Sequence, residues 1–282
     1  MLALVALLAA TAAAPAPAFH VDVTGKGQPI ILIPGLASGG GVWDGVVAHY
    51  KDGHECHVLT LAGFAGQKPV PAPLVATAEK QLAQYIRDHK LSKPIVVGHS
   101  LGGVLALELA AAEPELVGKL VIVDSLPFLP AAQAPGATVE TARPQAMGLR
   151  QMLVGMQPEQ RKNQSAMMSK GMATDPKSQE RIAAWSNASD QTAVADAMVE
   201  LMTTDLRPEL KKITAPALVV GTWIAFQQFA KQEQIEATFK DQYAGLAGAK
   251  IVIHPTARHF VMLYDEAGLL REMDAFLGAA KH

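Results

Sequence analysis

Residues 93–103 constrain this chain most. Lys93-Pro94-Ile95-Val96-Val97-Gly98-His99-Ser100-Leu101-Gly102-Gly103 passes from an apolar, β-branched run into a hydroxyl set between glycines. Residues 94–97 read as a strand buried on both faces of a parallel sheet. Residues 101–112, rich in Leu and Ala, read as a helix. A strand that turns directly into a helix at Gly98-His99-Ser100-Leu101-Gly102 needs small neighbours so that the two elements can approach, and it forces strained backbone angles on the serine. The Ser100 hydroxyl would then stand above the sheet edge, at a helix N-terminus whose amides favour developing negative charge. Ser100 is therefore the candidate nucleophile. The alternative is a chance Gly-x-Ser-x-Gly in which Ser100 only caps a helix, and the strand before and helix after weigh against it.

The rest of the chain supplies a frame for such a turn. Residues 19–25 alternate like a first strand, and buried strands are expected at 29–34, 56–61, 119–124, 215–221 and 250–254. Helices are expected at 77–90, with Thr77 as cap and Leu82, Tyr85 and Ile86 on one face, and at 266–279, with Leu269, Leu270, Met273, Phe276 and Leu277 together. Strands alternating with helices imply an α/β fold, a mostly parallel sheet wound by right-handed crossovers. With 282 residues, half of them hydrophobic, the chain can bury a sizeable core. Its net charge of −2 and lack of a basic patch speak against nucleic acid as a partner. Cys56, the single cysteine, rules out an internal disulfide and a cysteine-rich metal site. In His54-Glu55-Cys56-His57, Cys56 and His57 read as the start of a strand, because alternate residues point to opposite faces and cannot converge on a metal.

Two segments break the alternation. Residues 1–18 resemble a secretory signal peptide, with an uncharged apolar run at 2–14 and Ala16-Pro17-Ala18 before Phe19, though without a basic start. Export to a periplasm or the cell exterior is expected, with no stable membrane insertion after cleavage; an uncleaved anchor is the alternative. Residues 126–205 read as a helical cap inserted between core segments 19–125 and 206–282. Its beginning is broken by Pro127, Pro130, Pro135 and Pro144. Beyond them, Met147, Met152, Met156, Met167, Met168, Met172, Met198 and Met202 either line an adaptable apolar pocket or hold the cap to the body.

A serine hydroxyl needs a base to take its proton and an acid to orient that base. His259, in Pro255-Thr256-Ala257-Arg258-His259-Phe260 after the last strand, sits where a loop side chain can reach back over the turn. His254 competes but lies at the strand end before a proline. His99 either lines the pocket or packs beneath it.

At this point the chain resembles the α/β-hydrolase fold superfamily, as a capped serine hydrolase. The features that carry the likeness are Ile33-Pro34-Gly35-Leu36, Gly98-His99-Ser100-Leu101-Gly102-Gly103, the cap, and Ala257-Arg258-His259-Phe260. The resemblance implies Ser100 as nucleophile, His259 as base, and an oxyanion hole from the backbone amides of Leu36 and Leu101. Most relatives place the acid in a Gly-x-x-Asp pattern after the strand equivalent to 217–221. Here that position reads Gly221-Thr222-Trp223-Ile224. Asp124, at the end of the strand after the elbow helix, is the expected replacement, ahead of Glu233, Asp241 and Asp205. The expected activity is hydrolysis of small-molecule carboxylic esters of apolar character, with no metal or organic cofactor. A lyase, carbon–carbon hydrolase or acyltransferase would keep the same serine, and a non-catalytic protein binding an apolar ligand is the reading from another class.

Overall fold

A computed structural model describes residues 15–132, 134–224, 227–228 and 230–278. Most of the expected leader, residues 1–14, lies outside the described residues. The end of that segment is part of the fold: Ala18 is fully buried, its N–H donates to Gln81 (2.7 Å), and its carbonyl accepts from Ala62 (2.8 Å). The Gln81 side chain also donates to the Ala16 carbonyl at 3.0 Å.

Among the described residues seven strands form one sheet in the order β1-β3-β2-β4-β5-β6-β7. They are β1 Phe19–Gly25, β2 Gln28–Ile33, β3 His54–Leu61, β4 Ile95–His99, β5 Lys119–Val123, β6 Ala217–Thr222 and β7 Lys250–His254. Only β1 runs antiparallel to its neighbour; all other pairs are parallel. Continuous apolar runs at β2, β4, β5 and β6 follow from burial on both faces. Ile31, Ile33, Val96, Leu120, Ile122 and Val219 join one core cluster, while Ile30, Leu32, Val97, Val121, Val123 and Val220 join the other. Each such side chain contributes about 1.5–3 kcal/mol by leaving water.

Helices α1 (Asp44–Tyr50), α2 (Leu74–Asp88) and α3 (Leu101–Ala112) flank the first half of the sheet. Between β5 and β6 come the four helices α4 (Val139–Gly155), α5 (Pro158–Met172), α6 (Pro176–Ala188) and α7 (Gln191–Thr203), packed as the pairs α4–α7 and α5–α6. After β6 follow α8 (Gln232–Gln242), α9 (Val261–Tyr264) and α10 (Glu266–Leu277).

Three local expectations change. Helix α2 begins at Leu74, so Thr77 does not cap it; the Thr77 hydroxyl donates to the Pro73 carbonyl instead. The cap comes from Glu200 on α7, whose carboxylate accepts from the amides of Leu74 (2.6 Å) and Val75 (2.9 Å). Pro144 does not break the chain: it lies in the second turn of α4, where its missing N–H frees only the carbonyl of the exposed Glu140. Of the cap methionines, Met147, Met152, Met167 and Met168 are exposed, whereas Met202 is buried and Met172 and Met198 pack against the core.

Helix α3 is apolar all round, as a helix under a sheet should be, except for Glu108. Burial, followed by the nearby carboxylates of Glu200 and Glu79, pushes Glu108 up to about 7. A carboxyl raised in the folded state gives stability that is full below its unfolded pKa and is lost as pH rises through the folded one. A rise from 4.5 to about 7 amounts to about 3 kcal/mol at most. Glu108→Gln should therefore raise the melting temperature at pH 8 by roughly 5 °C, and by less than half as much near pH 5, measured by calorimetry at both pH values. Equal shifts at the two pH values would disprove the assignment.

Candidate active site

Parallel pairing sets the site. The register Ile33↔Gly98, His99↔Val123, Val123↔Val220 and Thr222↔His254 brings the carboxyl ends of β2, β4, β5, β6 and β7 to one edge. Neighbouring strands lie about 4.8 Å apart, so side chains leaving these ends converge.

The turn at Ser100 is strained as the sequence implies, with φ 54° and ψ −120°. For a non-glycine residue such angles cost about 1–3 kcal/mol. They persist because the surroundings hold them: the Ser100 amide donates to the Val123 carbonyl at 3.0 Å, and its carbonyl accepts from Gly103 at 2.8 Å. The flanking glycines serve close approach. A Cβ on Gly98 would lie 2.2 Å from the Gly102 carbonyl oxygen, and one on Gly102 would lie 2.4 Å from that of Ile33.

Asp124 directly follows β5 and also has a positive φ, 45°. Its Oδ1 accepts from the Thr222 amide at 2.9 Å, and its Oδ2 stands 2.6 Å from His259 Nδ1. A carboxylate can only accept, so the imidazole proton sits on Nδ1 and the Nε2 lone pair is left for a hydroxyl proton. The other carboxylates considered are engaged or exposed elsewhere: Asp205 pairs with Arg207 (2.6 Å), while Glu233 and Asp241 are exposed on α8. Among the described residues, Asp124 alone hydrogen-bonds His259 through a carboxylate.

The loop presenting His259 is tied at several points. His254 accepts the Ala257 amide on Nδ1 (2.9 Å) and donates from Nε2 to Asp265 (2.9 Å). With both nitrogens committed, His254 shapes the loop and has no lone pair left to act as a base. Asp265 also caps α10 by accepting from Gly268, and this bond, ahead of His254, holds its carboxyl below the usual carboxylate range. From the inserted helices, the Met172 carbonyl accepts from the Phe260 amide (3.4 Å), and that of Gly171 accepts from Arg258 (2.9 Å).

On the opposite side, the loop after β2 runs against the elbow. A Cβ on Gly35 would lie 3.0 Å from Ser100 Cβ, so the main chain leading to the Leu36 amide abuts the serine. Leu101 opens α3, where first-turn amides have no intrahelical acceptor. Ser100, Asp124, His259, Leu36 and Leu101 thus all border one edge of the sheet. Sequence reasoning missed the Thr222 amide and the His254–Asp265 tie, both of which depend on pairing between distant strands and helices. No group of three or more His, Cys, Asp or Glu side chains is arranged to hold a metal among the described residues. No helix of the described residues is long and apolar enough to cross a membrane.

A strained strand–serine–helix turn on a mostly parallel sheet, with helices inserted between β5 and β6, defines the capped α/β-hydrolase class. The chain belongs to the alpha/beta hydrolase family, whose profile matches residues 30–272. A pimeloyl-(acyl-carrier protein) methyl ester esterase from Nitrosomonas europaea is 27% identical over 209 residues, 71% of this chain and 79% of that protein. An esterase of the same description from Vibrio vulnificus is 33% identical over 108 residues; the match spans 38% of this chain and only 41% of that relative. Among solved structures, a hydrolase from Pseudomonas aeruginosa superposes with a TM-score of 0.76 at 18% identity, covering 93% of this chain and 94% of that one. An esterase from Exiguobacterium antarcticum gives 0.75 at 17% identity, with 93% and 96% covered.

Proposed function

We propose that the chain is a serine esterase acting on carboxylic esters of apolar character. The observation that carries this reading is the 2.6 Å contact between Asp124 and His259 Nδ1, together with a serine held at φ 54° at the same edge of the sheet. Ser100 Oγ gives its proton to His259 Nε2 and attacks the ester carbonyl carbon. The amides of Leu36 and Leu101 hold the tetrahedral oxyanion. As the intermediate collapses, the alcohol leaves with the proton from His259, and Ser100 is acylated. Water, deprotonated by His259, then attacks the acyl-enzyme and releases the carboxylic acid. Asp124 keeps the imidazole in the tautomer that can accept, and stabilises the imidazolium. The methyl ester esterase relatives support a carboxylic ester with a small alcohol part. Export belongs to the proposal too, resting on the uncharged apolar run at residues 2–14.

The test is a series of p-nitrophenyl and methyl esters of increasing acyl length. The expected result is saturable turnover, with kcat/KM rising with acyl length over the first several carbons. Well-folded protein that turns over no ester would sink the reading, and saturable ligand binding under those conditions would favour the non-catalytic alternative.

A further inference from the structure

His99 occupies the position between Gly98 and Ser100 and is fully buried beneath the elbow, where it lines no open pocket. Its ring packs against those of both His259 and Phe260, with centroids 4.6 and 4.8 Å away. Nε2 stands 3.0 Å from the main-chain carbonyl oxygen of His259. A carbonyl only accepts, so Nε2 carries the proton and Nδ1 the lone pair. Nδ1 is buried without a hydrogen-bond partner and faces the loop after β2, where a Cβ on Gly35 would lie 2.9 Å from it. One ring therefore touches the elbow, the His259 loop and the loop after β2. Packing alone does not require a histidine here, since an apolar residue of similar volume would avoid burying a polar nitrogen that nothing satisfies.

We infer that His99 is a positioning residue: its Nε2–H holds the His259 carbonyl and so sets the height of the base above Ser100. This rests on the esterase reading, in which a misplacement of about 1 Å costs on the order of a hundredfold in rate. Burial, then the adjacent His259, keeps the His99 imidazole well below its ordinary pKa. The ring thus adds no charge next to the imidazolium that forms on His259.

Two substitutions separate this role from simple filling of space. In His99→Gln the side-chain amide nitrogen reaches about where Nε2 stood, whereas His99→Met fills the volume without a donor. His99→Met is expected to lower kcat by about 10–100-fold with KM within about twofold and an undiminished melting temperature, and His99→Gln to recover kcat to within about fivefold of wild type. The far-downfield proton shared by His259 Nδ1 and Asp124, read by proton NMR without substrate, should persist in wild type and the Gln variant and broaden or vanish in the Met variant. Full activity and an intact resonance in His99→Met would overturn the proposal, as would equal losses in both variants. If His99→Met does not fold, His99→Asn replaces it, because its amide is too short to reach the His259 carbonyl. A wild type that turns over no ester would defeat the esterase reading, while the resonance would still decide whether His99 positions the base.

Discussion

Ser100→Ala is expected to lose about 10⁴–10⁶-fold in kcat on any ester the wild type cleaves, with substrate binding and fold retained. In the proposed mechanism the acyl bond forms on this hydroxyl, so its removal takes away the attacking group. Stability offers a second readout, because the backbone keeps φ 54° whether Ser or Ala occupies it. Ser100→Gly should be equally inactive yet more stable than Ser100→Ala by about 1 kcal/mol, since glycine takes such angles without a Cβ clash. Active-site labelling with a fluorophosphonate and thermal melts of the three proteins check both statements. Turnover surviving in Ser100→Ala would remove the serine from the mechanism.

Asp124→Asn should lower kcat by about 10³–10⁴-fold while leaving KM within a few fold. The local geometry supplies the reason. The Thr222 amide donates to Oδ1, so an asparagine must turn its carbonyl oxygen toward Thr222 and its NH₂ toward His259 Nδ1. An imidazole accepting on Nδ1 carries its proton on Nε2, and the lone pair needed to deprotonate Ser100 is gone. The defect is thus one of tautomer, and it should be relieved in part as pH rises, when hydroxide can act in place of the base. Glu233→Gln is the matched control and should stay within twofold of wild type. A large loss in that control, with Asp124→Asn unaffected, would move the acid to α8.

Much of the frame was legible in the chain because burial on two faces leaves little choice of residue. Strands β2, β4, β5 and β6 are continuous apolar runs. The elbow was legible because a strand and helix that nearly touch admit only glycine at Gly98 and Gly102. Asp124 stood out by its place at a strand end, and its contact with His259 is where the fold brings the two together. What could not be read depends on partners far along the chain. Helix α2 starts early because Glu200, about 125 residues away, supplies its cap. Met147, Met152, Met167 and Met168 face solvent because the inserted helices bury only one side of each pair, and composition does not say which side a flexible thioether takes. Position in the sequence already favoured His259 over His254; what it could not show is that the bonds from Ala257 and to Asp265 make His254 a brace for the loop.

The carbonyls of Gly171 and Met172 bond to Arg258 and Phe260, the neighbours of His259 on either side. In a chimera that swaps residues 126–205 for those of another family member, the graft would therefore carry two of the anchors that fix the imidazole. Such a hybrid is expected to work best when 170–172 and 258–260 are exchanged as a set. Selectivity and rate are, in that sense, inherited together in this scaffold.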